Sequence, residues 1–293
     1  MLMSAPTASE ALRERSWGRE VTRRLLRHRS ARLGLPILLF LVIVGILAPF
    51  LSIYDPVKIN LSEALRPPSP EHILGTDELG RDIATRIMYG ARISMFIGFL
   101  AVLIGLVIGA PIGIISGYYG GAIDFALQRV TDILLAFPGI LLALVLVATL
   151  GVGLTNVIIA VGISSVPVYI RLARGQTLFI RELSYVEASR ALGLRTPVIL
   201  FKHIFLNTID PLIVQSTLQL GTAILTAAGL GFLGLGVEPT IPEWGTMLGT
   251  GREYLMSSPH VATFPGLAIF LVVLAFNLLG DALRDALDPK LAL

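Results

Sequence analysis

Charged side chains fall in blocks along this chain, and between the blocks lie long runs without any. Leu33–Tyr54 runs 22 residues without a charge, Ile93–Ile123 runs 31, Ile133–Ile170 runs 38, Pro211–Val237 runs 27 and Val261–Gly280 runs 20. A helix crosses the hydrocarbon core of a bilayer in about 20 apolar residues, so four of these runs each supply one crossing. As one helix the run of 38 would extend about 57 Å, too long for a single crossing. The Gly-rich turn GVGLTN, Gly151–Asn156, divides it into two. The pattern predicts an all-α membrane protein with six transmembrane helices, at about 33–54, 93–118, 126–150, 156–173, 207–236 and 262–282. An N-terminal arm (1–32), an outer loop (55–91), a second loop (174–206) and a tail (284–293) join or flank them, and residues 92–283 form the core.

Composition agrees with a bilayer as solvent. Hydrophobic residues make up 54% and charged residues 15% of the 293, against roughly 25% charged in soluble domains. The chain has no cysteine, which removes disulfides, thiolate chemistry and Cys-based metal sites. The first apolar run begins behind an Arg-rich segment, so no cleavable leader is expected.

The placement of arginine and lysine sets the orientation. The arm carries eight arginines, Arg13 to Arg32, and the stretch Arg171–Lys202 carries six basic residues. The outer loop has four against six carboxylates, and Glu238–His260 has only Arg252. Basic segments stay on the cytoplasmic side, which places both termini and the 174–206 loop there. Within the arm, Trp17, Val21 and Leu25 form one apolar stripe on a basic helix. An anionic lipid surface suits such a helix; so does a solvated tail. The arm leads directly into a span, which argues against a nucleic-acid partner.

Two helices carry patterns beyond apolarity. Gly105, Gly109, Gly113, Gly117 and Gly121 recur at every fourth residue, a spacing that lets another helix approach closely in lipid. A partner subunit or a neighbouring helix of the same chain could occupy that face. The fifth span carries Gln215, Thr217, Gln219 and Thr222, uncharged polar groups that suit a solvated passage or bonds between helices. Charges are nearly absent from the spans. Arg129 and Asp132, three apart at the start of the third, are spaced for an ion pair on one helix face.

Motifs for independent chemistry are missing. Gly229, Gly231 and Gly234 match GxGxxG in form, but no strand precedes them and no βαβ unit surrounds them. No GxxxxGK[ST], HExxH or GxSxG occurs, and His28, His72, His203 and His260 are scattered outside the spans. No catalysis and no cofactor are expected in this chain, and energy must come from a partner.

The segment Tyr185–Leu206, YVEASRALGLRTPVILFKHIFL, stands out among the loops. It predicts a short helix through Glu187, Ala188, Ser189 and Arg190 that stops at Gly193, since glycine adopts the left-handed C-terminal conformation without strain. Pro197 suits the first turn of the next helix. The outer loop HILGTDELGRD, His72–Asp82, predicts a turn and a helix capped by Thr76 or Asp77. Asp77, Arg81 and Asp82 there are candidates for docking an extracytoplasmic partner.

HILGTDELGRD, the series Asp124, Arg129, Asp132 and Pro138, the EASRALG loop, LGFLGLGVEPTIPEWGTML and the closing TFPGLAIFLVVLAFNLLGDALRDALDPKL carry a resemblance. Together they resemble the C-type permease subunit of bacterial dipeptide/oligopeptide ABC importers, over about three quarters of the chain. The resemblance implies a type I ABC importer permease fold in the bacterial inner membrane. It implies that Glu187, Ala188, Ser189, Arg190 and Gly193 form a coupling helix for an ATP-binding subunit. Partners would be a B-type permease, two ATP-binding subunits or a fused pair that bind ATP and Mg, and an extracytoplasmic binding protein. Substrates would be peptides; related permeases serve glutathione, nickel chelates and other small solutes. Ser189 stands where the family has alanine, and Leu206 where it generally has proline.

Overall fold

The computed structural model describes the backbone of residues 8–287 and side chains from Gly18 to Leu287. Trp17 and the tail beyond Leu287, read above as part of the stripe and the cytoplasmic end, lie outside the described side chains. Helices α1 (Ala8–Arg27), α2 (Arg29–Leu51) and α3 (Ile83–Tyr119) open the chain. A bent pair follows, α4 (Gly121–Ala136) and α5 (Gly139–Leu150), then α6 (Leu154–Ile180) and the short α7 (Ser184–Ala191). A continuous 37-residue helix α8 (Thr196–Phe232), a short α9 (Trp244–Gly251) and α10 (His260–Leu287) complete it. Among the described residues the sole β pairing is an isolated bridge between Thr76 and Asp82.

Among the described residues five helices, α2, α3, α6, α8 and α10, are long and apolar enough to cross a membrane. Each overruns its uncharged run at one end or both, because a charge excludes a residue from the hydrocarbon core without breaking a helix. The sixth expected crossing, 126–150, is bent where a straight helix was expected. It is two helices bent by 90°, broken at Phe137, whose ψ of 134° is extended. A proline pushes the residue before it out of the helical region, and Pro138 does so here. The 12 residues of α5 reach about 18 Å at 1.5 Å per residue, so α5 alone falls short of the roughly 30 Å hydrocarbon core, and the bent pair counted as one broken span brings the crossings to six.

The core centres on α3 against α6, the most extensive helix pairing. The glycine stripe makes it possible: Gly105 faces Ser165 and Tyr169, Gly109 faces Val166 and Tyr169, and Gly117 faces Thr177. The stripe is therefore occupied by a helix of the same chain as far as Gly117, while Gly121 meets nothing within 4 Å. Tyr169 is fully buried there and donates its hydroxyl to Ser216 on α8 at 3.1 Å. A second cluster joins α2, α8, α9 and α10 around Trp244, Ile224 and Val272. Glu243 caps α9, accepting from the backbone N–H of Gly245 and of Thr246 at 2.8 Å each.

The arm turns one side of its stripe inward. Leu25 packs against the cluster of Ala31, Leu279 and Ala282, and His28 Nε2 lies 3.0 Å from Asp285 of α10. Gly229 and Gly231 sit inside α8, and Gly234, at φ 78°, ends it. Those three glycines serve a helix and its stop, with no strand beside them.

Candidate coupling and translocation surfaces

Helix α7 ends as its sequence requires. Gly193 has φ 75°, its N–H donates to Arg190 O at 2.9 Å, and Leu194 N–H donates to Ser189 O at 3.1 Å. These two bonds form a Schellman motif, which satisfies carbonyls that the helix end would orphan. Within α7 only Val186 is buried; Glu187, Ala188, Arg190 and Gly193 are exposed and Ser189 is half-buried. Two contacts brace this exposed helix. The Arg190 guanidinium lies 5.0 Å from the centre of the Tyr118 ring at the end of α3. The Tyr185 ring meets His203 of α8 at 5.7 Å, and Ser189 Oγ donates to Tyr185 O at 2.8 Å. The free surface around it includes large apolar groups, with Leu192 80% and Phe201 65% exposed.

The first turns of α8 are wide. Residues Ile199–Phe205 adopt a π-helical winding, and Leu206 N–H reaches back five residues to Phe201 O. Leu206 therefore supplies a hydrogen bond that a proline there would lack, yet the local irregularity is present without proline. Pro197 lies in the first turn, as its missing N–H favours.

The proposed Arg129–Asp132 pair is not formed. Asp132 accepts instead from Arg171 of α6 at 2.8 Å, and among the described residues Arg129 makes no ion pair. The reason is that arginines of α6 face the carboxylates of α4 and take them first. A stronger bond in the same layer had no sequence signal: Arg174 holds Asp124 with two contacts of 2.6 Å, across 50 residues. Ser116 also donates to Asp124, and Arg181 donates to Gly117 O at 2.7 Å. Together these tie α3, α4 and the base of α6 just before α7.

On the other side of the molecule, Asp77, Arg81 and Asp82 do not present themselves for docking. They are 4%, 3% and 5% exposed. Arg81 donates to Asp77 at 2.6 Å, to Glu78 at 3.1 Å and to Pro239 O at 3.1 Å. Arg86 joins Pro56 O and the same Pro239 O. The charges pin the outer loop to the segment before α9, so reversing one would leave its partner buried and unpaired. Burial, and then the neighbouring Asp77, push the Glu78 carboxyl above the usual range. The cap of α3 is Asp82, accepting from Thr85 N–H at 2.7 Å, in place of Thr76 or Asp77. His72 Nδ1 contacts the other Asp82 oxygen at 2.9 Å.

Along α8, Gln215, Gln219, Thr222 and Thr226 recur at spacings of four, three and four, which places them on one face. That face is half-exposed or exposed. The Thr226 hydroxyl donates to Thr222 O of its own helix at 2.8 Å. Thr217 lies apart: it faces an apolar cleft of about 620 Å³ with Leu106, Pro111 and Ile213. Three of the four path candidates thus share a stripe and one does not.

Comparison with known proteins agrees with this architecture. Residues 109–293 match the family of binding-protein-dependent transport system inner membrane components. Residues 16–68 match the N-terminal TM domain of oligopeptide transport permease C. The dipeptide transport system permease protein DppC of Alkalihalophilus pseudofirmus is 48% identical over 93% of this chain and 90% of its own length. The glutathione transport system permease protein GsiD of Pectobacterium atrosepticum is 47% identical over 99% of this chain and 97% of its own. Among solved structures, the MetNI methionine ABC transporter in inward-facing conformations aligns with a TM-score of 0.57 at 20% identity, over 69% of this chain and 97% of that one.

The fold is that of an ABC importer permease. The chain belongs to the binding-protein-dependent transport system inner membrane component family and is a multi-pass subunit of the inner membrane.

Proposed function

We propose that this chain is the C-type half of a two-permease pore that imports peptides, with both termini and α7 in the cytoplasm. The observation that carries the reading is the uncovered stripe Gln215–Gln219–Thr222 on a spanning helix. Polar side chains on a spanning helix avoid lipid and turn toward a cavity or another subunit, and none of these three is buried among the described residues. A B-type permease supplies the other wall. A charge-free lining passes molecules whose termini cancel in charge and binds none of them too firmly to release.

Two ATP-binding subunits or a fused pair, holding ATP and Mg, drive the cycle through α7. ATP-dependent closure draws the coupling helices together and opens the permeases outward to a binding protein; hydrolysis resets them. Glu187, Ala188, Ser189, Arg190 and Gly193 make the contact. The extracytoplasmic binding protein meets the outer face, where the loop residues Ile73 and Met256 are exposed, with Asp77, Arg81 and Asp82 supporting that face from within. Relatives named for dipeptide and for glutathione match about equally well, so a glutathione-like tripeptide is the second substrate reading.

Replacing both Gln215 and Gln219 with leucine tests the stripe. Loss of two hydrogen-bonding groups should lower uptake of dialanine by reconstituted complexes about tenfold or more, while the ATP-binding subunits still co-purify. Unchanged uptake would remove the stripe from the path.

A further inference from the structure

Where α6, α8 and α10 converge below the stripe, they enclose a cleft of about 610 Å³. That lies within the roughly 300–1,000 Å³ of small-molecule sites. Gln176 of α6, Asn207, Asp210 and Gln215 of α8, and Arg284 of α10 line it. The register of the helices brings them together. Gly280 lies against Leu218, so one turn further along α10 Arg284 reaches the level of Val214 and Asp210.

Two charges of opposite sign stand in this cleft, and among the described residues neither Asp210 nor Arg284 forms an ion pair. Asp124, Asp132 and Asp285 toward the same end of the bundle are each matched, by Arg174, Arg171 and His28. Asn207 donates its Nδ2 to His203 O at 2.6 Å, which leaves its carbonyl oxygen as a free acceptor. Gln215 belongs to both the cleft and the polar stripe, so the two surfaces are continuous.

We propose that this cleft is an exit-side binding site for a zwitterionic peptide. Asp210 takes the α-ammonium, Arg284 the α-carboxylate, and the amides of Gln176, Asn207 and Gln215 the peptide bond. The inference rests on the peptide reading above and adds a second, cytoplasmic station with its own selectivity. Because a conducting path must release what it binds, affinity should be weak, about millimolar.

The complete importer in nanodiscs, without nucleotide, should be probed by saturation-transfer NMR with dialanine, N-acetyl-dialanine and dialanine amide. The wild type should prefer dialanine about tenfold over either capped form, since each cap removes one charge-assisted contact. Asp210→Asn should abolish the penalty for the acetyl cap and keep that for the amide; Arg284→Gln should do the reverse. A misfolded variant cannot produce this crossed pattern. Equal binding of all three ligands by the wild type, or equal weakening of all three in both variants, would overturn the site. Binding-protein-dependent uptake of dialanine, measured in parallel, separates the two levels. Uptake without the zwitterion preference rejects the exit site alone; no uptake and no binding reject the peptide reading together with it.

Discussion

Gly193→Trp should leave the permease inserted and assembled yet cut ATP-driven uptake at least about tenfold, a loss of 1.4 kcal/mol or more in productive coupling. At φ 75° nothing lies within 4 Å of the Cβ position, so crowding inside the chain is not the cause. The cost is conformational: an L-residue in the left-handed region loses roughly 1–2 kcal/mol, and escaping it breaks the bonds to Arg190 O and Ser189 O that end α7. The helix would then leave its bracing against Tyr118 and His203. Gly193→Asn, which tolerates this conformation, should keep most of the activity. Uptake and ATPase rates of reconstituted complexes decide the matter; wild-type values for the tryptophan variant would refute a rigid coupling helix.

Gly109→Leu should be more damaging still, because it acts on the fold. A Cβ at Gly109 would sit 2.6 Å from both Tyr169 Cβ and Val166 O. The second of these is backbone, which cannot rotate away. Relief requires α3 and α6 to separate, and overpacking of a fitted core costs about 1–3 kcal/mol or more. Separation would also break the Tyr169–Ser216 bond that ties α6 to α8. Little folded permease should survive detergent extraction, judged by monodispersity in size-exclusion chromatography. Gly175→Ala, on α6 with nothing within 4 Å of the added Cβ, should extract as well as the wild type.

These cases divide what sequence discloses from what it withholds. Charge-free runs disclosed the spans because burial in lipid is a property of local composition. Gly193 and the four-residue glycine spacing were legible because each acts through its own backbone. The bend at Pro138 was signalled by a residue in plain view, yet a charge count over the run cannot distinguish one straight crossing from two short helices. Asp77 and Arg81 looked like a docking surface because sequence gives charge without direction; only the fold brings Pro239 O against Arg81. The Arg129–Asp132 reading failed for a related reason. Helical spacing makes a pair available, while Arg171, 39 residues further on, takes Asp132 first.

The central claim is that this chain has no engine and is driven through α7. It contains no native cysteine, so one introduced thiol is unique in the subunit. Leu192, 80% exposed beside the end of α7, is the position to use. In membranes holding the complete importer, Leu192→Cys treated with a thiol-reactive photocrosslinker should form an adduct with the ATP-binding subunit, and its yield should change on adding ATP. Absence of that adduct, with the thiol open to impermeant maleimide from the extracytoplasmic side, would contradict the account.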